Sequence, residues 1–472
     1  MRIRLALGLL VVALVLPASA GAKRKKTAPP APVDPLALIA GEAMTTDVGW
    51  ERLVHLCDRI GHRLSGSPQL DQAIAWALEL MREDGLDNVR GEEVLVPTWT
   101  RGDASLSLIT PRPMDLQLLA LGGSIATPEG GLEADVLVVD SLEDLAGRPE
   151  PEVTGRIVVY DLPFTSYRET VPIRTRGAVA AAKKGAVASL VRSVGPHSLQ
   201  TPHTGNQRYE EGTPAIPTAA ITIEAAEMLR RLQERGTTPR LRLHLSPSEG
   251  DPAPSANVIG EVLGSEHPDE IVVVGCHLDS WDVGQGAQDD GAGCLAAMET
   301  VRIIKGLPVR PKRTVRAVLF TNEENGLAGG KAYAKAHGQE PHFAVLESDT
   351  GAGTALGFRL DLRTLLDDET TERDEAAWPE AMARLTPLTQ ALSAFDATSL
   401  TPGYAGADIG PMTRLGVPGF GLSQDMTGYW PIHHTEADTI DKIDPVVFRK
   451  NVGVFATAAW VLANLEEPIR PQ

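Results

Sequence analysis

The side chains of this chain that could do chemistry stand just beyond short apolar runs. Residues 271–274 are Ile-Val-Val-Val, closed by Gly275, and such a run suits a central strand covered on both faces. His277 follows, with Asp279 two positions further on. Alternation along an extended chain turns these two side chains to one side. The Asp279 carboxylate is therefore expected to accept the second N–H of the imidazole and fix its tautomer, as carboxylates behind metal-bound histidines do. A Gly-rich turn then delivers Asp289-Asp290, and Gly291-Ala292-Gly293 allows close backbone approach ahead of a predicted helix over 294–300. Residues 313–320 form a second β-rich run, ending in Thr321-Asn322-Glu323-Glu324-Asn325-Gly326. Residues 343–346 form a third, ending in Glu347-Ser348-Asp349, and His433-His434-Thr435 precedes Asp438-Thr439.

A strand with a chemically active tip thus recurs, and open α/β sheets keep their sites at the carboxyl ends of parallel strands. Together the tips offer His277, Asp289, Glu324, Asp349 and His434, two imidazoles and three carboxylates. Zn2+ and similar borderline cations take that mixed nitrogen and oxygen set. Five donors suit two ions that share one carboxylate better than a single tetrahedral ion. The other reading of the first tip is a structural histidine beside a helix-capping pair of aspartates, and short motifs match by chance often enough to keep it open.

In chain order these segments read HxD, DDGAG, NEE, ESD and HHTxxDT. That order resembles the co-catalytic zinc exopeptidases of peptidase family twenty-eight, and within them the dipeptidase-like carboxypeptidases. Arg63-Leu64-Ser65-Gly66-Ser67, Gly406-Ala407-Asp408-Ile409 and Leu415-Gly416-Val417-Pro418 extend the resemblance over nearly the whole chain beyond its leader. It implies a three-layer, mixed-sheet α/β catalytic domain, two Zn2+ ions and a peptide substrate. Asp289 would bridge the ions, His277 and Asp349 would complete one site, and Glu324 and His434 the other. The peptide after the bridging aspartate would be cis. Glu323, just before a ligand, would be the general base that takes a proton from the shared water and later gives it to the leaving amine. Its other reading is a solvated loop carboxylate. His433 would donate to the oxyanion, or simply pack beside His434. The resemblance leaves open cleavage of dipeptides and aminopeptidase action on longer peptides. A binding protein on the same fold that has lost catalysis would need missing ligands, and none is missing. A homodimer is implied by the resemblance alone.

The remaining chain must position these groups. Residues 1–22 carry Arg2 and Arg4, an apolar stretch over 5–16 and small-x-small cleavage patterns. A secretory signal is expected, with an uncleaved anchor as the alternative. A secreted or periplasmic protein without stable membrane insertion follows. Residues 23–35, basic and then rich in Pro and Ala, read as a solvated linker. The catalytic domain is assigned 36–112 and 249–472, and an insertion 113–248. Within the insertion GRIVVYD followed by AAAKKGAVASLV resembles the protease-associated domain, which would shape or cover the cleft. His197 and His203 lie there beside prolines and read as exposed loop histidines. Ser67 and Pro68 read as the cap and first residue of a helix with Leu70, Ile74, Leu78 and Met81 on its apolar face. A net charge of −18 and a pI of about 5.1 argue against nucleic acid as a partner. Cys57, Cys276 and Cys294 are odd in number and lack a CxxC, so they do not read as a disulfide framework. Alternation turns Cys276 away from His277, as a small buried hydrophobe.

Overall fold

A mixed sheet of eight strands carries the chemically active tips. The computed structural model describes residues 34–470 except 198 and 366–370, so the expected leader and most of the linker lie outside the described residues. From Pro35 onward the chain is one compact unit. The strands are β1 (Asp87–Thr100), β2 (Ser248–Val262), β3 (His267–His277), β4 (Arg313–Phe320), β5 (His342–Glu347), β6 (Ala355–Asp361), β7 (Ser399–Pro402) and β8 (Gly419–Gln424). Their spatial order is β1-β2-β4-β3-β5-β8-β6-β7. The central strands β4, β3, β5 and β8 run parallel to one another, while β1, β2 and β6 bring in antiparallel pairs.

Four helices matter to the site: α1 (Pro68–Glu83), α2 (Pro172–Ala182), α3 (Ala292–Lys305) and α4 (Pro445–Asn464). The apolar run of β3 splits by alternation between the two faces of the sheet. Val272, Val274 and Cys276 join a large core with residues of α1, α3 and α4, whereas Ile271 and Val273 pack with Tyr333, Ile409 and Met412 on the other side. Burial on both faces explains why the run is continuously apolar. The cap of α1 is as expected, with the Leu70 N–H donating to Ser67 Oγ at 3.2 Å. Helix α4 is long and apolar enough to cross a membrane, yet 78% of its apolar window is buried, so it is a core helix here. Asp444 caps it, accepting the N–H groups of Val446 and Val447.

Between β1 and β2 in sequence lies a second eight-stranded sheet, drawn from Ala104 to Leu245. It contains a parallel run of four strands, Leu132–Val139, Ile157–Tyr160, Ala188–Arg192 and Thr218–Ile221. The sheet begins ahead of residue 113, because Ala104–Thr110 pairs antiparallel with Arg240–Leu245. Helix α2 packs on one face through Ile173, Ala178 and Ala181. The core of the other face takes in Leu64 and Trp281 from the segments beside the active tips. The second sheet is thereby keyed to the loop that follows His277.

Candidate metal centre and active site

The register of the central strands gathers the tips. His277 lies level with Phe320 across β3 and β4, and Gly275 level with Glu347 across β3 and β5. The segments that follow, 278–289, 321–324 and 348–349, therefore leave the sheet at one edge. There His277 Nε2 lies 3.2 Å from Asp289 Oδ1 and 3.2 Å from Asp349 Oδ1. His434 Nε2 lies 3.3 Å from Asp289 Oδ2 and 3.1 Å from Glu324 Oε2. Asp289 thus presents one oxygen to each imidazole, and its peptide to Asp290 is cis.

Both imidazoles are oriented from behind. His277 Nδ1 is 3.0 Å from the Asp279 carbonyl oxygen, and His434 Nδ1 is 3.3 Å from the Thr204 carbonyl oxygen. A carbonyl only accepts, so His277 Nδ1 donates to it, and Nε2 is the nitrogen that each ring turns toward the carboxylates of the cluster. The expected bond from His277 to the Asp279 carboxylate is not formed. Strand β3 ends at His277, so alternation no longer governs Asp279, and its backbone carbonyl turns back to the ring instead. The freed carboxylate accepts the N–H groups of Glu323 at 3.0 Å and Glu324 at 3.3 Å, and lies 3.3 Å from Ser65 Oγ. Ser65 Oγ in turn accepts from Asn322 Nδ2. Asp279 therefore holds the Glu323-Glu324 tip. Asp438 does the same for Asp289, accepting the N–H groups of Gln288 at 2.7 Å and Asp289 at 3.1 Å.

Charge and burial set the protonation of the cluster. Burial works against a charged His277, but Asp289 and Asp349 outweigh it and hold its pKa well above the usual value. Burial likewise opposes charge on His434, and Glu324 and Asp289 raise it to about 9. Burial pushes Asp289 upward, yet His277 and His434 hold it well below the carboxylate range. Burial raises Glu323, with Asp349 and Glu324 adding to it. His433 is driven well below the histidine range by burial and by the neighbouring His434. Asp289 Oδ2 and Glu324 Oε1 are buried without a hydrogen-bond donor among the described residues. Buried carboxylate oxygens converging with imidazole nitrogens fit the donor set of divalent cations such as zinc.

All eight residues singled out in the sequence, His277, Asp279, Asp289, Glu323, Glu324, Asp349, His433 and His434, meet in this one region. A cleft of about 680 Å3 opens over it, walled by Glu323, Glu324 and Asp349 on one side and by Tyr167, Arg174 and Arg208 of the second sheet's unit on the other. His433 stacks on His434 with ring centroids 3.6 Å apart, and its Nε2 lies 3.6 Å from Asp289 Oδ2. Its Nδ1 has no partner among the described residues. Arg174 was not legible in the sequence: from α2 its Nη1 donates to the Thr204 carbonyl at 3.0 Å and sits 3.2 Å from His434 Nδ1, while Nη2 reaches Tyr167 Oη at 2.6 Å. Tyr429, 5% exposed and packed against His433, also lines the cleft. No motif flags either residue. His203 is buried rather than exposed, packed beside Gly195. Arg63 is wholly buried and donates to the carbonyls of Gly61, Leu278, Gln285 and Gly286, which fixes the loop between His277 and Asp289.

The fold and this cluster are those of a metallopeptidase, and the chain belongs to peptidase family M28, whose model matches residues 257–459. It is similar to carboxypeptidase Q of Xenopus laevis, 43% identical over 420 residues that cover 89% of this chain and 86% of that protein. Carboxypeptidase Q of Homo sapiens is 41% identical over 422 residues, with the same coverage. Among solved structures, a peptidase M28 precursor from Shewanella amazonensis superposes with a TM-score of 0.86 at 38% identity, covering 92% of this chain and 97% of that one. A zinc aminopeptidase from Bacillus subtilis shares the fold at a TM-score of 0.64 and 22% identity, with 89% and 96% covered.

Proposed function

We propose that this chain is an exported zinc-dependent exopeptidase that hydrolyses dipeptides or short peptides. The observation that carries the reading is Asp289, whose two oxygens face His277 and His434 at 3.2 and 3.3 Å. In this reading His277 and Asp349 hold one ion, Glu324 and His434 the other, and Asp289 is shared. Two bound zinc ions would supply Lewis acidity, lowering the pKa of a shared water and stabilising charge on the carbonyl oxygen.

The chain's own residues supply the proton transfers and the positioning. Glu323 reaches the cleft wall, and its carboxylate has no hydrogen-bond or ion-pair partner among the described residues. It is free to take the proton of the attacking water and to deliver it to the nitrogen of the departing amine. Asp279 keeps Glu323 and Glu324 apart by holding both of their backbone N–H groups, so one faces the water and the other the cluster. His433, kept neutral by its surroundings, retains an imidazole N–H that can donate to the oxyanion. Tyr429 offers a second donor beside it. The second sheet's unit, which we take as a protease-associated insertion, closes the cleft with Tyr167, Arg174 and Arg208. A cleft of about 680 Å3 is of small-ligand size and suits a short peptide rather than a folded chain. The leader supports export.

The test compares hydrolysis of a free dipeptide, an N-blocked dipeptide and a tripeptide by the zinc-loaded protein. Cleavage confined to the free dipeptide identifies a dipeptidase. Trimming of the tripeptide from its amino end at comparable rate identifies an aminopeptidase. Intact substrates in all three reactions, with zinc bound, would overturn the proposal in favour of a binding protein.

A further inference from the structure

Directly behind the metal-ligand cluster, two thiols meet in the core. Cys276 is the penultimate residue of β3 and Cys294 lies in the first turn of α3, and both are fully buried. Their Sγ atoms are 2.6 Å apart. Ordinary non-bonded heavy-atom contact is roughly 3.5–4 Å, and a disulfide bond is about 2.05 Å. The pair is therefore well inside contact distance and about half an ångström from bonding. The approach is too close for two sulfurs on one metal ion, since zinc–sulfur bonds of about 2.3 Å at a tetrahedral angle keep the sulfurs roughly 3.7 Å apart.

The same two segments are already tied by a second device. Asp290 accepts the His277 N–H on one oxygen at 3.3 Å and the Gly293 N–H on the other at 3.1 Å. The Cys294 thiol also donates to the His277 carbonyl oxygen at 3.0 Å, a bond given up when the sulfurs join, whereas the Asp290 bonds stay. The backbones on either side of the sulfurs are thus held together whether or not the sulfurs are joined, so a bond between them asks for little movement. Cys57, the third cysteine, is buried separately in the same core.

We infer that Cys276 and Cys294 form a disulfide that staples the end of β3 to the start of α3, on either side of the loop that delivers Asp289. The bond forms by thiol–disulfide exchange with a small disulfide such as oxidised glutathione. One cysteine thiolate attacks the acceptor, a mixed disulfide forms and one glutathione thiol leaves. The second thiolate then attacks the mixed disulfide at the protein sulfur, and the second glutathione thiol leaves. Two protein thiols are oxidised and one acceptor disulfide is reduced, with the two protons taken up by the departing thiolates. The loop closed spans 18 positions, long enough for its constraint on the unfolded chain to be felt in stability.

The test holds the purified full chain with oxidised glutathione until its mass is constant. The chain is then denatured in N-ethylmaleimide without reductant and digested for mass spectrometry. Expected are one alkylated residue, Cys57, and a linked pair of peptides containing Cys276 and Cys294, which separates on reduction. Three alkylated cysteines, a bridge to Cys57 or glutathione retained on either residue would overturn the inference. In parallel, reduction should lower Tm by about 3–6 °C. Cys57→Ser should keep that response and Cys294→Ala should lose it; a response surviving in Cys294→Ala would also count against the staple.

Discussion

The Asp279 carboxylate accepts the backbone N–H of Glu323 at 3.0 Å, although the Asp279 carbonyl is what orients His277. One residue thus serves two tips of the cluster by two different groups. Asp279→Asn leaves the carbonyl in place and turns an amide N–H2 toward one of the two backbone N–H donors. The fold should persist, and activity should fall about 10–100-fold, the scale of changes behind metal ligands. Kinetics alongside zinc content will check it; unaltered turnover would mean that the Glu323-Glu324 tip needs no support from Asp279.

Adjacent Glu323 and Glu324 should separate in function. Glu323→Gln is expected to retain both ions and lose about 10²–10⁴ in kcat, the usual value of acid–base help. Glu324→Gln, beside His434 at 3.1 Å, should instead lose metal. Elemental analysis of both variants distinguishes the roles, and the opposite pattern would exchange them.

The protein should bind two equivalents of zinc and lose hydrolysis on strong chelation. In the metal-free protein His277 is held well above its usual pKa and His434 at about 9. Both therefore carry a proton at pH 7 that metal must displace, so loading should release protons and affinity should fall as pH drops. Calorimetry in two buffers of different ionisation enthalpy measures the release. Equal heats in both would contradict the protonation assigned here.

Arg174 joins the second sheet's unit to the cluster through Thr204 and His434. Arg174→Met should keep the side chain's volume in place but free the Thr204 carbonyl. Metal affinity is expected to weaken about 10–100-fold, with overall stability changed far less than occupancy. A chelator competition series reads the affinity, and an unaltered curve would confine Arg174 to packing.

Away from the site, His337 bonds Glu92 and Glu340, each at 2.8 Å. The Glu92 contact raises its pKa, against burial, and both carboxylates are held low. The His337 contribution is full below its unfolded value near 6.5 and is lost as pH rises through the higher folded value. The carboxylate contributions are full above about 4.3 and are lost as pH falls through their lower folded values. His337→Gln should flatten the loss of Tm as pH rises above 6.5. A slope equal to that of the unsubstituted protein would remove His337 from the account.

The sequence by itself determined what depends on near neighbours. The apolar run at 271–274 required a strand buried on both faces, Ser67 and Pro68 set the start of a helix, and the tips carried their own donors at the strand ends. Those features follow from period, capping and residue type within a few positions. Only the tertiary structure decided which partner each donor takes. The Asp279 carboxylate left His277 because the strand ended there, and Arg174 reached His434 from 260 positions away. His203 became buried beside Gly195, and the sulfurs of Cys276 and Cys294 met through the return of α3 onto β3. Such contacts depend on the paths of loops and the stacking of layers, which no local pattern encodes.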